Sequence, residues 1–184
     1  IKILPGGVVT AKDTAEIQLD ENGEFVRNPE EDIVKVAVVE RHQGTGNVAC
    51  GFLKGYGIKA GAVALSIAHD SHNIIVVGVS DEEMEFAVNS LIAQEGGMVL
   101  VREGKVLESM PMPIAGLMSD QSGEWVDEKL TAIHAKAYEE LGIAGDVEPV
   151  MTLCFMSLAV IPEVKLTDMG LFDVTTFSFI PVEA

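Results

Sequence analysis

The sequence predicts an α+β fold, built from mixed or antiparallel β-sheets with several hairpins and two main helices. Strand-like apolar runs outnumber helical patterns, and the two do not alternate strictly as a doubly wound fold requires. Hydrophobic residues make up 48% of the 184-residue chain, which is enough for a sizeable core. We expect one domain over residues 1–184, either undivided or with residues 1–32 forming a small N-terminal lobe.

The strand predictions rest on alternating apolar and polar residues and on short continuous apolar runs. Asn22 and Gly23 predict a hairpin turn after the first strand, and Glu103 and Gly104 predict a second hairpin. The glycine-rich segment 44–61 is predicted to be loops around a short apolar piece at 48–53. The predicted strands are residues 15–19, 33–39, 61–68, 73–79, 99–101, 106–107 and 171–182.

Two segments carry helical patterns. Ser80 and Glu83 have the spacing of a capping box, and apolar residues recur at helical intervals from 84 to 92. A second helix is predicted over residues 124–141, with one apolar face and a glycine after its end. Residues 151–161 are almost wholly apolar, and periodicity does not decide between a buried helix and a buried strand.

The composition excludes several classes of protein. Twelve Lys and Arg against 29 Asp and Glu give a net charge of −17, which repels phosphate backbones and argues against nucleic-acid binding. No apolar run reaches the roughly 18 residues of a membrane helix, and the first residues show no secretory signal. Cys50 and Cys154 form no Cys-x-x-Cys pair. We therefore expect a soluble, cytoplasmic chain with two buried thiols.

Titratable side chains are densest after two predicted strands. One group follows residues 33–39, and the other separates 61–68 from the next strand. Polar side chains at strand ends converge on one pocket in many α/β proteins. The candidate active-site contributors are His69, Asp70, His72 and Asn73. The candidate orienting or substrate-pocket residues are Glu40, Arg41, His42 and Ser71.

Three other chemistries find little support in these residues. His69, Asp70 and His72 are metal-ligand types, but His-x-x-His shares one face only on a helix, and no fourth ligand is evident. A nucleophilic triad on Ser71 lacks the Gly-x-Ser-x-Gly context. The glycines after residue 43 fail as a phosphate loop because Phe52 follows where lysine is required. The simplest alternative is a hydrogen-bonded turn.

Several strings together resemble the C-terminal domain of bacterial and archaeal adenine deaminases. The resemblance extends over about residues 38–173. The strings are Glu-Arg-His-x-Gly-Thr-Gly-Asn at 40–47, Gly-Phe-x-Lys-Gly at 51–55, Ala-His-Asp-Ser-His-Asn at 68–73, Pro-Ile-Ala-Gly-Leu-Met-Ser-Asp at 113–120 and Lys-Leu-Thr-Asp-x-Gly-Leu at 165–171.

The resemblance implies part of a metal-dependent amidohydrolase, a hydrolase of cyclic amidine C–N bonds. Such an enzyme converts adenine to hypoxanthine and ammonia in purine salvage. Its manganese or iron would be bound by a preceding (β/α)8 barrel that this chain lacks, so no metal ligand is expected here and the chain alone would be inactive. The implied partners are that barrel, adenine and further copies of the protein. The histidines or Asn73 would then hydrogen-bond a purine edge, and Arg41 would orient a carboxylate.

Two rival hypotheses remain. The domain would serve only structure and oligomerisation in an amidohydrolase, with the apolar segments 110–118 and 151–161 feeding an interface. Alternatively, the chain would be a free-standing metal hydrolase that uses His69, Asp70 and His72.

Overall fold

The computed structural model describes residues 1–183 and confirms the α+β class. Most of the neighbouring strands run antiparallel, and the helices pack against them. The elements are β1 (Lys2–Ile3), β2 (Thr10–Ala11), β3 (Gln18–Leu19), β4 (Phe25–Val26), β5 (Ile33–Val39), β6 (Val48–Lys54), β7 (Ala62–Leu65), β8 (Ile74–Gly78), α1 (Asp81–Ala93), β9 (Gly97–Arg102), β10 (Lys105–Pro111), α2 (Gly123–Glu139), α3 (Pro149–Cys154), β11 (Val164–Thr167), β12 (Gly170–Asp173) and β13 (Ser178–Phe179).

The main sheet has eight strands in the order β10-β9-β7-β8-β5-β6-β1-β2. The pairs are antiparallel except for β1 with β6, which run parallel. A three-stranded sheet, β11-β12-β13, and a two-stranded sheet, β3-β4, complete the architecture of the described residues. A small N-terminal lobe over residues 1–32 stays a prediction, although β1 and β2 join the main sheet.

Side chains that alternate along the strands divide the core between the two faces of the main sheet. Val34, Val36 and Val38 of β5 face α2, α3 and the three-stranded sheet, whereas Ala37 faces α1. These residues are all at most 5% exposed. The main sheet is therefore the middle layer, and its period of two fixes which side chains each helix contacts.

Both predicted main helices begin after a serine cap, of which Ser80 was indicated by the sequence and Ser122 was not. Ser80 accepts a hydrogen bond from the amide of Glu83, and Ser122 accepts one from the amide of Trp125. Each hydroxyl satisfies a backbone donor that has no partner inside the helix. The buried face of α2 includes Ile133 and Ala137, as its apolar spacing predicts.

Four sequence predictions need correction. The segment around 48–53 is not a loop piece but the full strand β6, because it pairs with β5 along its whole length. Residues 171–182 form a hairpin rather than one strand. The chain turns there because the carboxylate of Asp173 accepts hydrogen bonds from the backbone amides of Thr175 and Thr176. The apolar segment 151–161 begins inside α3 and continues as turns. Of residues 15–19, only Gln18–Leu19 form a strand.

One predicted buried thiol is exposed. Cys154 lies in the core beneath the main sheet, but Cys50 is exposed on β6. The reason is the placement of α1, which packs against β7, β8 and β9 and does not reach β6. None of the helices within residues 1–183 combines the length and the apolar character needed to cross a membrane.

Candidate functional site

Three loops meet at one end of the main sheet. Val39, the last residue of β5, lies opposite Ile74, the first residue of β8. Pro111, at the end of β10, pairs with Gly97 at the start of β9. Because β5, β8, β7 and β9 are neighbours, the segments beyond these strand ends lie together. We call residues 40–47, 66–73 and 112–118 the loop cluster.

Glu40 organises the first of these loops. Its carboxylate accepts hydrogen bonds from the backbone amides of His42, Gln43 and Thr45, and from the Thr45 hydroxyl. These donors stabilise the ionised carboxylate and lower its pKa from 4.5 to about 2. Glu40 therefore holds the 40–47 loop in place and has little capacity left to accept a proton.

Arg41 connects the other two loops. Its Nε donates to the carbonyl oxygen of His72, and its Nη2 donates to the carbonyl oxygen of Ala115 at 3.0 Å. Burial lowers the pKa of the guanidinium. Within residues 1–183, no carboxylate lies within 4.0 Å of it. The predicted carboxylate partner is therefore not supplied by the described part of this chain.

His42 and Asn73 make further links inside the loop cluster. The Nε2 atom of His42 lies 2.7 Å from the carbonyl oxygen of Ser71. Asn73 is only 4% exposed, and its Oδ1 accepts the backbone amide of Arg41. This contact joins two loops that are 32 residues apart in the chain, so it is not a bond within a local turn. Both residues therefore connect the 40–47 loop to the 66–73 loop.

The two remaining histidines form an aromatic group. The ring centroids of His69 and His72 are 5.1 Å apart, and the His69 ring lies 4.7 Å from that of Phe155. The side chain of Asp70 points to solvent and makes no hydrogen bond within residues 1–183. Among the predicted contributors, His69 and His72 are therefore the ones whose rings lie in direct contact.

His72 carries a nitrogen without a partner. Its Nδ1 is buried and makes no hydrogen bond to any of the described residues. Burial first, and then the neighbouring His69 and Arg41, lower the pKa of the imidazole below 6.5. The ring is therefore neutral at neutral pH. A neutral imidazole offers one donor and one acceptor.

Sequence reasoning assigned no role to Ser66, and it considered residues 112–118 only within an apolar segment that would feed an interface. Ser66 is 1% exposed, accepts the amide of Gly97, and donates to the carbonyl oxygen of Gly116. The sequence did carry a signal for this loop, because the Pro-Ile-Ala-Gly-Leu-Met-Ser-Asp string at 113–120 contributed to the family resemblance. Its position beside Arg41 depends on sheet order, which the sequence does not reveal. Ile114 and Met118 add an exposed apolar rim, 46% and 58% exposed.

The loop cluster does not fit a metal ion. Across residues 1–183, no group of three or more His, Cys, Asp or Glu side chains is arranged to hold one. His69, Asp70 and His72 therefore give the free-standing metal hydrolase no geometric support. These residues also do not fit the manganese or iron that the resemblance implies, which it assigns to a different segment.

Two cavities lie elsewhere on the domain. One, of about 530 Å³, is lined by residues that include Ile17, Phe52 and Lys54, and the other, of about 260 Å³, by residues that include Pro5 and Met151. Neither is lined by a residue of the loop cluster.

Fold and site together define an α+β domain that presents polar loops at one end of a sheet but holds no set of metal ligands within residues 1–183. A family model described as the adenine deaminase C-terminal domain matches residues 7–178. The chain belongs to that family, as the sequence resemblance predicted.

Named relatives agree with this assignment. Adenine deaminase 2 of Desulfotalea psychrophila is 70% identical over 184 residues, covering 100% of this chain and 32% of the relative. Adenine deaminase of Ligilactobacillus salivarius is 49% identical over 183 residues, again covering 100% of this chain and 32% of the relative. Adenine deaminase 2 of Carboxydothermus hydrogenoformans is 49% identical over 182 residues, covering 99% and 32%. The chain spans about a third of the length of these relatives.

Proposed function

We propose that this chain is the C-terminal part of an adenine deaminase, whose loop cluster closes a catalytic site held mainly by a preceding segment. Membership of the family and the names of the relatives support this proposal. The proposed reaction hydrolyses the exocyclic C–N bond of adenine and gives hypoxanthine and ammonia, a step of purine salvage. We assign the enzyme to the cytoplasm and expect it to assemble as a homo-oligomer.

One observation carries the proposal. The loop cluster gathers His42, His69, His72 and Arg41 at one sheet end, yet residues 1–183 offer no metal site there. Such a surface has the groups to orient a substrate but lacks those that activate a water. The metal proposed for the complete enzyme, manganese or iron, supplies a water of lowered pKa when it is bound. We assign its ligands to the preceding barrel segment.

The residues of this chain then act by hydrogen bonding. His72 is neutral at neutral pH, and because its Nδ1 is buried, Nε2 is the ring nitrogen left to donate to, or accept from, a purine edge. The exposed Ile114 and Met118 belong to the same loop cluster and add apolar surface, suited to a flat heterocycle or to the covering segment. The domain thus contributes orientation and exclusion of water, while another segment provides bond cleavage.

The test is a substitution in the full-length protein. Replacing His72 with Ala is expected to lower kcat/KM for adenine at least about tenfold, the effect of about one lost hydrogen bond. The matched control is His134→Ala, because His134 lies on α2, bonds Glu148 and belongs to no loop of the cluster. A His72→Ala enzyme with kcat/KM within about twofold of the parent would remove the loop cluster from the site.

A second candidate function is purely structural or oligomeric. It is favoured by the apolar outer face of the three-stranded sheet, where Phe177 and Phe179 are 75% and 51% exposed. Under this alternative, Phe177→Ser would change the oligomeric state, and His72→Ala would leave turnover unchanged. Sedimentation and kinetics of the same two variants distinguish the two functions.

A further inference from the structure

We infer that Arg41 is a positioning residue that ties His72 to the 112–118 loop and thereby fixes the orientation of the His72 ring at the site. This inference rests on the proposed function, because it specifies how one contributor to that site is held. Arg41 itself need not touch the substrate.

The two bonds of the guanidinium bridge segments far apart in the chain. The carbonyl oxygen of His72 accepts from Nε at 2.5 Å, and that of Ala115 accepts from Nη2 at 3.0 Å. His72 and Ala115 both have positive φ, 53° and 58°. Non-glycine residues adopt this conformation at a cost of about 1 kcal/mol or more, so surrounding contacts must hold them there. Arg41 supplies one such contact to each residue.

The charge of Arg41 indicates the same role. The chain carries 29 acidic residues, yet no carboxylate within residues 1–183 lies within 4.0 Å of this guanidinium. Its planar fork is used on two backbone carbonyls instead. Lysine cannot reproduce this geometry, because its ammonium is a single point donor on a flexible stem.

Close packing leaves the guanidinium little freedom. A Cβ added at Gly116 would lie 3.0 Å from Nη1 and 3.2 Å from Cζ of Arg41. The guanidinium therefore lies directly against the backbone of Gly116, whose φ is +74° and whose carbonyl oxygen is held by Ser66. The 112–118 loop is thus fixed from one side by the core of the main sheet and from the other by Arg41.

The orientation of the His72 ring depends on this arrangement. Its Nδ1 makes no hydrogen bond within the described chain, so no contact of that atom fixes the ring. Two hydrogen bonds hold its backbone: the His72 amide donates to the carbonyl oxygen of Ala68 at 2.6 Å, and Arg41 donates to the His72 carbonyl oxygen. The ring itself contacts His69. Loss of the Arg41 bridge would remove one of the two backbone bonds and let the ring shift, and a displacement of about 1 Å at a site group costs up to about a hundredfold in rate.

The experiment replaces Arg41 with Lys in the full-length protein and keeps the charge. We expect kcat/KM for adenine to fall between about tenfold and about a hundredfold. We also expect the acid limb of its pH profile to move to higher pH, because the guanidinium that lowers the pKa of His72 has been replaced by a more distant charge. The control is Arg102→Lys, since Arg102 also donates to a backbone carbonyl, that of Glu140, but lies at the opposite end of β9.

The outcomes separate the inference from the proposed function. If Arg41→Lys leaves kcat/KM and the pH profile unchanged while His72→Ala lowers kcat/KM, the positioning role is overturned and the proposed function stands. If neither substitution changes kcat/KM, the proposed function fails as well. Should Arg41→Lys not fold, Gly116→Ala crowds the guanidinium without removing it. An unaltered pH profile in that variant likewise overturns the inference.

Discussion

Lys165 lies in β11 with its side chain fully buried, at 0% exposure. Its ammonium donates to the carbonyl oxygen of Val8 at 2.8 Å, and no carboxylate of residues 1–183 lies within 4.0 Å of it. Burial lowers its pKa from 10.5 to about 8. At neutral pH the domain therefore holds an uncompensated charge in its interior, which opposes folding.

Replacing Lys165 with Met is expected to stabilise the domain at neutral pH by about 1 kcal/mol, the removed charge outweighing one lost hydrogen bond. The folded-state pKa is below the unfolded one, so the parent gains stability as pH rises from about 8 to 10.5, and the advantage of Met disappears over that window. Urea unfolding at several pH values measures both effects. If Lys165→Met is less stable than the parent at neutral pH, the buried ammonium and its hydrogen bond stabilise the fold, and the prediction is wrong.

Glu40 has the opposite character, a carboxylate that many donors stabilise at the surface. Its folded-state pKa, about 2, is below the ordinary 4.5, so its support of the loop is complete above pH 4.5 and is lost as pH falls towards 2. Glu40→Gln is expected to speed hydrogen exchange of the Gln43 and Thr45 amides about tenfold at neutral pH. NMR-detected exchange measures this, with Glu16→Gln as the exposed control. Equal exchange rates in parent and variant would contradict the role of Glu40.

At the scale of elements, the start of β9 approaches the 112–118 loop so closely that only glycine fits. A Cβ at Gly96 would lie 2.6 Å from Cα of Gly116 and 2.9 Å from the Ser66 hydroxyl, and φ is +102°. Gly104, in the β9–β10 turn, also has a positive φ, +67°, but nothing lies within 4 Å of an added Cβ. Alanine substitutions at Gly96 and Gly104 therefore separate the cost of steric crowding from the cost of backbone strain.

Gly104→Ala is expected to cost about 1 kcal/mol through its φ alone. Gly96→Ala is expected to cost a further 1 to 3 kcal/mol, roughly, because the loop must move to relieve the contact. Thermal or urea unfolding compares the two variants. If both variants lose the same free energy of unfolding, the 112–118 loop moves at no cost. The claim that Ala115 and Gly116 are rigidly supported would then be wrong.

At the scale of the whole molecule, local signals predicted most of the fold. The Ser80 cap and helical spacing located α1, an apolar face and the glycine after its end located α2, and apolar runs located β5, β7 and β8, because each signal acts within a few residues. Strand β6 was missed because its glycine content suggests loops. Its strand character comes from pairing with β5, and a Cβ added at Gly51 would lie 3.6 Å from Cδ1 of Leu166, an ordinary van der Waals contact.

The clustering of the candidate residues was predicted from the sequence, but the hydrogen bonds that connect their loops were not. Clustering of titratable residues at strand ends identified Glu40 to His42 and His69 to Asn73, and the sheet register brings both groups together. The bridge from Arg41 to Ala115 spans 74 residues and depends on β9 lying between β7 and β10. No local pattern encodes that strand order, so the sequence indicated the 112–118 loop only through a resemblance and as part of an apolar segment.

The central claim is that this chain supplies orienting groups to a site whose catalytic centre belongs to another segment. The most direct measurement is adenine turnover, assayed with manganese or iron present, for the 184-residue chain alone, for the full-length protein, and for the full-length protein carrying His72→Ala. The account predicts turnover by the full-length protein, at least about tenfold less with His72→Ala, and none by the chain alone. Deamination of adenine by the chain alone would contradict it.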